Sequence, residues 1–272
     1  MILGVPCYEN HDLTRQMVES LVDTVRGPDF GLVIVDNASP TPYTPDDYSV
    51  PFRLRVMRNW RNEGNWWPLA QVARAEPLGN VVALAHNDLI YYEHGWDVRV
   101  EDAFRDDPKL GMVGFAGSWA IDERGQRTIG TTMSNLRGER GHVSAEGAGV
   151  RMVGMEPSVA VDGLFMAFRR AALDDITLRP SLPPAHWYDY IWGAEVIRAG
   201  WRQATLGVDC DHIGWSTEVK LATALDAEWR RWAQENDVRA GSDVMAAIWE
   251  TGKRDWYARF GNGKFWPCSL KP

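Results

Sequence analysis

Three polar residues stand where a buried strand ends, and their types suit a bound ion or ligand. The apolar run VVALA leads directly into His86, Asn87 and Asp88, after which the chain turns aromatic. A single carboxylate at the end of a buried strand is costly unless it is hydrogen-bonded or coordinated. We therefore expect the end of this strand to bind an ion or another ligand.

Polar residues also follow two earlier apolar runs. The segment PCYEN closes the run that begins at Met1, and DNAS closes the run GLVIVD. In open α/β sheets, ligands bind outside the carboxyl ends of the strands, near the point where the strand order reverses. The sequence thus predicts one crevice lined by PCYEN, DNAS and HND.

The elements that must position these residues alternate between strands and helices. The segment LTRQMVESLVDTV has apolar residues at helical spacing, and WWPLAQVARAE predicts a helix with Pro68 in its first turn. Further strands are predicted at FRLRVMRN, GNVVALAHND and KLGMVGFAGS. This alternation predicts an α/β fold with a doubly wound, mostly parallel sheet and helices on both faces.

The pattern becomes helical from about Thr217 onward. Four apolar residues share one helical stripe there: Leu221, Leu225, Trp229 and Trp232. We therefore predict a main domain over residues 1–216 and a helical C-terminal extension over residues 217–272.

Composition excludes several classes of protein. A net charge of −8 argues against nucleic acid as the main partner. The three cysteines, Cys7, Cys210 and Cys268, have no zinc-type spacing and indicate free thiols in a reducing compartment. No apolar run is long enough to span a membrane, and the N-terminus lacks a secretory signal pattern, so we expect a cytoplasmic protein. The GxGxxG, P-loop, GxSxG and HExxH motifs do not occur.

Seven segments occur in an order that is typical of one family: GVPCYEN, IVDNAS, NEG, ALAHNDLIYYEHGW, VDGLFMAFRR, HWYDYIWGAEVIRAGWR and DCDHIGWS. They resemble the motifs of the GT-A fold glycosyltransferases of family 2, which are inverting enzymes that use nucleotide sugars. The resemblance covers roughly residues 1–216, and HND stands at the position of the family's DXD motif. No single segment is specific, but their common order is.

The resemblance implies a nucleotide-sugar site made of Pro6, Tyr8, Asp36, Asn62, His86 and Asn87. Asp36 would bind the base or the ribose, although an Asx-turn within DNAS would also satisfy its carboxylate. Tyr8 would stack on the base, or it would simply pack in the core. His86 replaces an Asp or Asn of the family, which leaves open whether it contacts metal, ribose or water.

The resemblance also implies a metal site. Asp88 is the expected carboxylate ligand, and His212 in DCDHIGWS is the expected second ligand. A diphosphate leaving group is commonly neutralised by Mg²⁺ or Mn²⁺ with few protein ligands. An imidazole ligand favours Mn²⁺ over Mg²⁺. The alternatives are a helix cap for Asp88 and a structural role for His212.

Inversion requires a base that removes the proton of the acceptor hydroxyl. The resemblance offers Asp189 for this role and Glu195 as the second choice, because the family's second acid is replaced by Ile191. Glu195 could instead pair with Arg198 on a helix surface. A position at a helix N-terminus would lower the pKa of Asp189.

Four further residues are candidates for contact with the acceptor: Asp162, Trp119, Trp187 and Trp215. Asp162 is equally suited to a turn, and the tryptophans are equally suited to core packing. We expect a glycosyltransferase that moves a sugar from a UDP- or dTDP-type donor to a glycan, protein or small-molecule acceptor, with Mn²⁺ or Mg²⁺ as cofactor. The alternatives are a sugar-nucleotide pyrophosphorylase, whose Gly-rich, Arg-containing loop and Lys are missing here, and an inactive carbohydrate- or nucleotide-binding module.

Overall fold

The computed structural model describes residues 1–75, 80–122, 127, 132–138, 150–176, 187–213, 229–237, 239, 244–261 and 266–267. The strands are β1 (Ile2–Cys7), β2 (Gly31–Asp36), β3 (Arg53–Arg58), β4 (Val81–Ala85), β5 (Leu89–Tyr91), β6 (Leu110–Gly114), β7 (Ala116–Ser118), β8 (Ala120–Ile121), β9 (Thr132–Ser134), β10 (Met155–Pro157), β11 (Ala160–Val161), β12 (Phe165–Arg169), β13 (Arg202–Leu206), β14 (Cys210–His212) and β15 (Trp266–Pro267). The helices are α1 (His11–Thr24), α2 (Trp66–Ala75), α3 (Trp96–Asp106), α4 (Arg170–Asp175), α5 (Tyr188–Arg198), α6 (residues 229–235) and α7 (Val244–Phe260).

An eight-stranded sheet forms the centre of the molecule, in the order β10-β13-β6-β12-β4-β1-β2-β3. Strands β4, β1, β2 and β3 are parallel to their neighbours in this half, as are β6 and β13 in the other half. β12 lies antiparallel between β4 and β6, and β10 is antiparallel to β13. The sheet is therefore mixed but mostly parallel, which confirms the predicted class. The reversed strand β12 was not predicted.

The composition of each strand matches its place in the sheet. β1, β2 and β4 lie in the interior of the sheet, and every one of their residues is buried. A strand that is covered on both faces is apolar throughout, which is why these three strands are recognisable in the sequence. β3 lies at the edge, where Arg53 and Arg55 are exposed. Charged side chains on an edge strand oppose pairing with another chain.

Helices cover both faces of the sheet. Along β2, Leu32 and Ile34 belong to one apolar cluster, while Val33 and Val35 belong to the other. Alternate residues of a strand point to opposite faces, so the two clusters lie on opposite sides of the sheet. One cluster takes its helical residues from α1 and α3, and the other takes them from α2, α4, α5 and α7.

Two connections bring distant residues to the carboxyl end of β4. The backbone amide of His86 donates to the carbonyl of Leu164 at 2.9 Å, which joins HND to the turn that precedes β12. β5 follows HND and pairs antiparallel with β14, with Leu89 opposite His212. This pairing carries His212 to the same strand end, 126 residues away from His86 in the chain.

The C-terminal helix α7 packs on α5 at one face of the main sheet. Trp256 of α7 is fully buried in the same apolar cluster as Ile191 and Trp192 of α5. The predicted stripe begins with Leu221 and Leu225, which lie outside the described residues, and a domain boundary at residue 216 stays a prediction. Among the helices that the structure describes, none has both the length and the apolar character needed to cross a membrane.

Candidate active site

Three side chains converge at the end of β4. His86, Asp88 and His212 each present one potential ligand atom, and these atoms lie within 4.8 Å of one another. His212 Nε2 is 3.2 Å from His86 Nδ1 and 3.3 Å from the Oδ1 atom of Asp88. Asp88 is buried, and both histidines are half-buried. We call these three residues the His-Asp-His cluster.

The electrostatics of the cluster keep its carboxyl group ionised. Burial opposes ionisation of Asp88, but the hydrogen bond from His212 and the charges of both histidines outweigh it, so that the pKa of Asp88 lies below its ordinary value. Burial likewise opposes protonation of His212, but its bond to Asp88 raises the pKa of the imidazole above its ordinary value. Without a metal, Asp88 therefore favours the protonated form of His212, and His212 favours the ionised form of Asp88.

The donor set fits a divalent cation. Ligands at about 2.0–2.1 Å from one ion and at right angles are roughly 3 Å apart, which is close to the two measured separations. Two imidazoles and one carboxylate suit Mn²⁺ and its transition-metal neighbours better than Mg²⁺. The sequence left the role of His86 open, and the structure places its Nδ1 atom in the cluster.

A second carboxylate lies beside the cluster at the start of α5. The residue before this helix, Trp187, has a φ of 61°, which is uncommon for a residue other than glycine. This turn lets the helix begin with Tyr188 and Asp189. Asp189 accepts a hydrogen bond from the backbone amide of Gly163 at 3.1 Å and one from the amide of Tyr190 at 2.9 Å.

Asp189 is one of two neighbouring carboxyl groups. Asp162 accepts from the amide of Leu164 at 3.0 Å and forms an ion pair with Arg127 at 2.6 Å. Burial and the charge of Asp162 raise the pKa of Asp189 to about 7, although Arg127 opposes this effect. The pKa of Asp162 is lowered: burial opposes its ionisation, but the guanidinium of Arg127 outweighs that cost. The helix N-terminus does not dominate, so the expectation of a low pKa for Asp189 is wrong.

Sequence reasoning missed Arg127. It lies in the stretch between ALAHNDLIYYEHGW and VDGLFMAFRR, which resembles no motif, and a single arginine in such a stretch gives no signal from one sequence. Its guanidinium is also 5.8 Å from the centre of the Tyr190 ring. The ion pair with Asp162 and this ring contact place Arg127 beside the first turn of α5.

Glu195 lies further along α5, away from the first turn. Its carboxylate forms an ion pair with Arg259 of α7, and its side chain is only 11% exposed. The expected helical partner, Arg198, donates to the backbone carbonyl of Arg259 at 3.1 Å. Both contacts join α5 to α7, so the structure gives Glu195 a partner in helix packing.

The residues assigned to the nucleotide lie around the ends of β1 and β2. Asp36 is fully buried, and its carboxylate accepts from the amides of Ser39 at 2.8 Å and Tyr43 at 3.3 Å, as well as from Arg58. The bond from Ser39 is the Asx-turn contact considered as the alternative. Pro6 is buried next to this end of the sheet.

Three other donor-side residues also have contacts within the protein. The half-buried Tyr8 packs against an apolar cluster of α6 and α7. Asn62 accepts from the amide of Gly64 at 2.9 Å, and the buried Asn87 donates to Thr14 of α1 at 3.0 Å. Their roles toward a nucleotide remain predictions.

The tryptophans differ in position. Trp187 is only 3% exposed, and its ring centre lies 5.4 Å from that of Trp249 and 6.3 Å from that of Trp256. Trp119 is half-buried after β7, and Trp215 lies outside the described residues. Trp187 thus contributes to the packing of α5 on α7, as its alternative interpretation expects.

No protein-family profile and no curated protein sequence matches the chain. Solved structures do match it. GalNAc-T7, crystallised with UDP, GalNAc and Mn²⁺, superposes with a TM-score of 0.58 and 12% identity over 95% of this chain and 57% of its own. TarS from S. aureus superposes with a TM-score of 0.56 and 16% identity over 96% of this chain and 44% of its own.

A shorter TarS structure, residues 1–349 in complex with UDP-GlcNAc, gives a TM-score of 0.53 at 14% identity and covers 94% of this chain and 72% of its own. The chain therefore spans 57% of the GalNAc-T7 chain and 44% of the longer TarS chain. Because the likeness extends over almost the whole of this chain, the protein has the GT-A fold.

Proposed function

We propose that the protein is a metal-dependent, inverting glycosyltransferase. It would move a sugar from a UDP- or dTDP-type donor to the hydroxyl group of a glycan, protein or small-molecule acceptor. One observation carries the proposal: the His-Asp-His cluster and the carboxyl group of Asp189 lie on either side of a single turn, Asp162–Gly163–Leu164. Leu164 contacts His86 through its carbonyl, and Gly163 contacts Asp189 through its amide.

The two sides of this turn suit the two halves of a glycosyl transfer. A divalent ion held by His86, Asp88 and His212 would offset the charge of the departing nucleoside diphosphate. Asp189 would accept the proton of the acceptor hydroxyl as its oxygen bonds to the anomeric carbon and the bond from that carbon to the diphosphate breaks. A base with a pKa near the working pH is well matched to this role, and the pKa of Asp189 is about 7.

The structural neighbours support a nucleotide-sugar donor. GalNAc-T7 was crystallised with UDP and Mn²⁺, and TarS with UDP-GlcNAc. Inversion rests on the resemblance to family 2 and on the availability of Asp189 as a base. The choice of Mn²⁺ over Mg²⁺ rests on the two imidazoles of the cluster.

A thermal-shift screen tests the proposal directly. UDP, dTDP and their sugar conjugates should raise the melting temperature in Mn²⁺, and EDTA should remove most of the increase, because a ligand that binds only the folded state stabilises it by mass action. The best donor is then assayed for hydrolysis and for transfer to sugar acceptors. Binding without hydrolysis or transfer would favour the alternative of an inactive binding module. The absence of any nucleotide-dependent shift would contradict the proposal.

A further inference from the structure

The hydroxyl group of Tyr188 lies where the metal side, the donor side and the acceptor side of the site meet. It is 3.0 Å from His86 Nε2, and it donates to the backbone carbonyl of Gly163 at 3.4 Å. The side chain of Asn65, which follows the NEG turn, also forms a hydrogen bond with this hydroxyl. Tyr188 itself is buried and is the residue immediately before Asp189.

The contact with Gly163 indicates the direction of the other two hydrogen bonds. A carbonyl oxygen can only accept, so the single hydrogen of the hydroxyl points to Gly163. Its two lone pairs are then available to an N–H group of Asn65 and to His86 Nε2. A tyrosine hydroxyl has an ordinary pKa of about 10, so it keeps its hydrogen at neutral pH. The arrangement therefore uses the full hydrogen-bonding capacity of the phenol.

The same arrangement determines which nitrogen of His86 carries the hydrogen. A neutral imidazole has one N–H group and one lone pair. If Nε2–H donates to Tyr188, the lone pair is on Nδ1, which is the atom 3.2 Å from His212 Nε2 inside the His-Asp-His cluster. A histidine that binds a metal needs its lone pair on the ligating nitrogen, and its other nitrogen is usually held by a hydrogen-bond partner.

The chain leaves room for this hydroxyl. A Cβ atom added at Gly163 would collide with the oxygen and ring carbons of Tyr188. Gly163 thus allows the phenol to approach both the turn and His86. A larger residue at this position would displace the hydroxyl from one or both contacts.

We propose that Tyr188 is a positioning residue for the metal site, which fixes His86 in the tautomer and orientation that present Nδ1 to the ion. The inference rests on the metal site of the proposed function, and it adds a link from that site to α5. Because Tyr188 and Asp189 are consecutive, the first turn of α5 would orient a metal ligand through one residue and present the base through the next.

The test is a double-mutant cycle read by metal binding alone. Mn²⁺ is titrated calorimetrically into metal-free wild type, Y188F, H86A and the double variant H86A/Y188F. Loss of a hydrogen-bond partner behind a metal ligand typically costs about 10- to 100-fold in affinity. We expect that loss for Y188F in the wild-type background, and a loss of less than about threefold in the H86A background, where the ligand is already absent.

Y190F is the matched control, since Tyr190 lies on the same helix and contacts Arg127 and Trp187. It should bind Mn²⁺ like the wild type. An equal loss from Y188F in both backgrounds would show a general structural effect and overturn the inference, as would unchanged affinity in Y188F. If H86A binds Mn²⁺ like the wild type, His86 is not a ligand: the inference fails, while a site based on Asp88 and His212 survives. If D88N also binds normally, the metal part of the proposed function fails as well.

A measurement on the unaltered protein guards against a variant that does not fold. Nitrogen-15 NMR of the zinc-loaded protein, labelled at histidine, reports the state of each ring nitrogen. We expect His86 to carry hydrogen on Nε2 and to bind zinc through Nδ1. A hydrogen on Nδ1, or zinc at Nε2, would contradict the inference.

Discussion

At the residue scale, Asp88 supplies the negative charge of the His-Asp-His cluster. Because its pKa lies below the ordinary value, Asp88 is ionised at neutral pH even in the metal-free protein. We expect Asp88→Asn to keep the shape of the side chain but to weaken nucleotide binding in Mn²⁺ by at least about tenfold. Mutation of a residue that only hydrogen-bonds to a metal ligand already lowers metal affinity by that factor, so loss of the ligand itself should lower it at least as much. Calorimetric titration with UDP or dTDP measures the effect. The same titration in EDTA should show little difference, and equal affinity of both proteins in Mn²⁺ would exclude Asp88 as a ligand.

Asp189 is expected to act only in the chemical step. Asp189→Asn keeps the shape of the side chain but removes the proton acceptor. Gly163 and Tyr190 donate to different oxygens of the carboxylate, so the asparagine keeps one of these hydrogen bonds and loses the other. Loss of a general base typically lowers the rate by about 10²- to 10⁴-fold. We therefore expect kcat to fall by this factor while donor affinity changes little.

Glu195→Gln is the paired control for Asp189→Asn, although its ion pair with Arg259 makes some loss of stability expected. Its kcat at a temperature well below unfolding should stay within a few-fold of the wild type. Near-normal transfer by Asp189→Asn together with an inactive Glu195→Gln would assign the base to Glu195 instead.

Asp36 has two interpretations that one variant separates. Its buried carboxylate accepts from two backbone amides and from Arg58, so Asp36→Ala leaves buried donors without a partner. Such a loss costs about 1–3 kcal/mol for each unsatisfied buried group. We expect the free energy of unfolding, measured with urea, to fall by at least this amount. Reduced affinity for UDP in EDTA, measured with the folded fraction corrected, would add a nucleotide contact to this structural role.

At the scale of the elements, the parts that could be predicted are those in which local pattern and burial agree. β1, β2 and β4 are covered on both faces, and their continuous apolar runs show this in the sequence. The first turn of α2 contains Pro68, as predicted. β12 is equally apolar, but its direction depends on which strands it joins, and no local pattern encodes that.

The site likewise has parts that local sequence predicts and parts that it does not. The polar residues at strand ends predicted the crevice, and the resemblance to the family predicted His212. The position of His212 next to His86 depends on the pairing of β5 with β14, which no local pattern encodes. The pKa of Asp189 could not be predicted, because it depends on the through-space charge of Asp162 and on burial rather than on the helix end alone. Arg127 and the hydroxyl contacts of Tyr188 likewise follow from tertiary packing.

The contact of α7 with α5 yields a test of this packing. A Cβ atom at Gly252 would lie 2.8 Å from both Cβ and Cδ1 of Trp187, so Gly252→Ala must push the two helices apart. Overpacking of this kind typically costs about 1–3 kcal/mol, although alanine has the better helix propensity. We expect a lower melting temperature by calorimetry. Glu250→Ala, at an exposed position of the same helix, should leave it nearly unchanged.

At the scale of the whole molecule, the paired carboxyl groups of Asp162 and Asp189 connect the site to the pH dependence of folding. Asp189 has a pKa of about 7 in the folded protein, compared with an ordinary value of 3.8. Between these two values the folded state binds a proton that the unfolded state has released. Stability rises with pH wherever the unfolded state binds more protons, so this group makes the opposite contribution. The free energy of unfolding should therefore fall as the pH rises from about 4 to about 7.

Asp189→Asn removes this titrating group without removing Asp162 or Arg127. We expect the metal-free variant to lose the part of the decline that lies between pH 4 and pH 7. Urea unfolding at a series of pH values measures this change in slope. Asp162 has its pKa held low by Arg127, and its contribution is present at neutral pH and lost in acid, so it has the opposite sign. Parallel pH profiles of the unfolding free energy for wild type and Asp189→Asn would show that Asp189 has an ordinary pKa. The base would then be fully ionised at neutral pH and would not titrate near it.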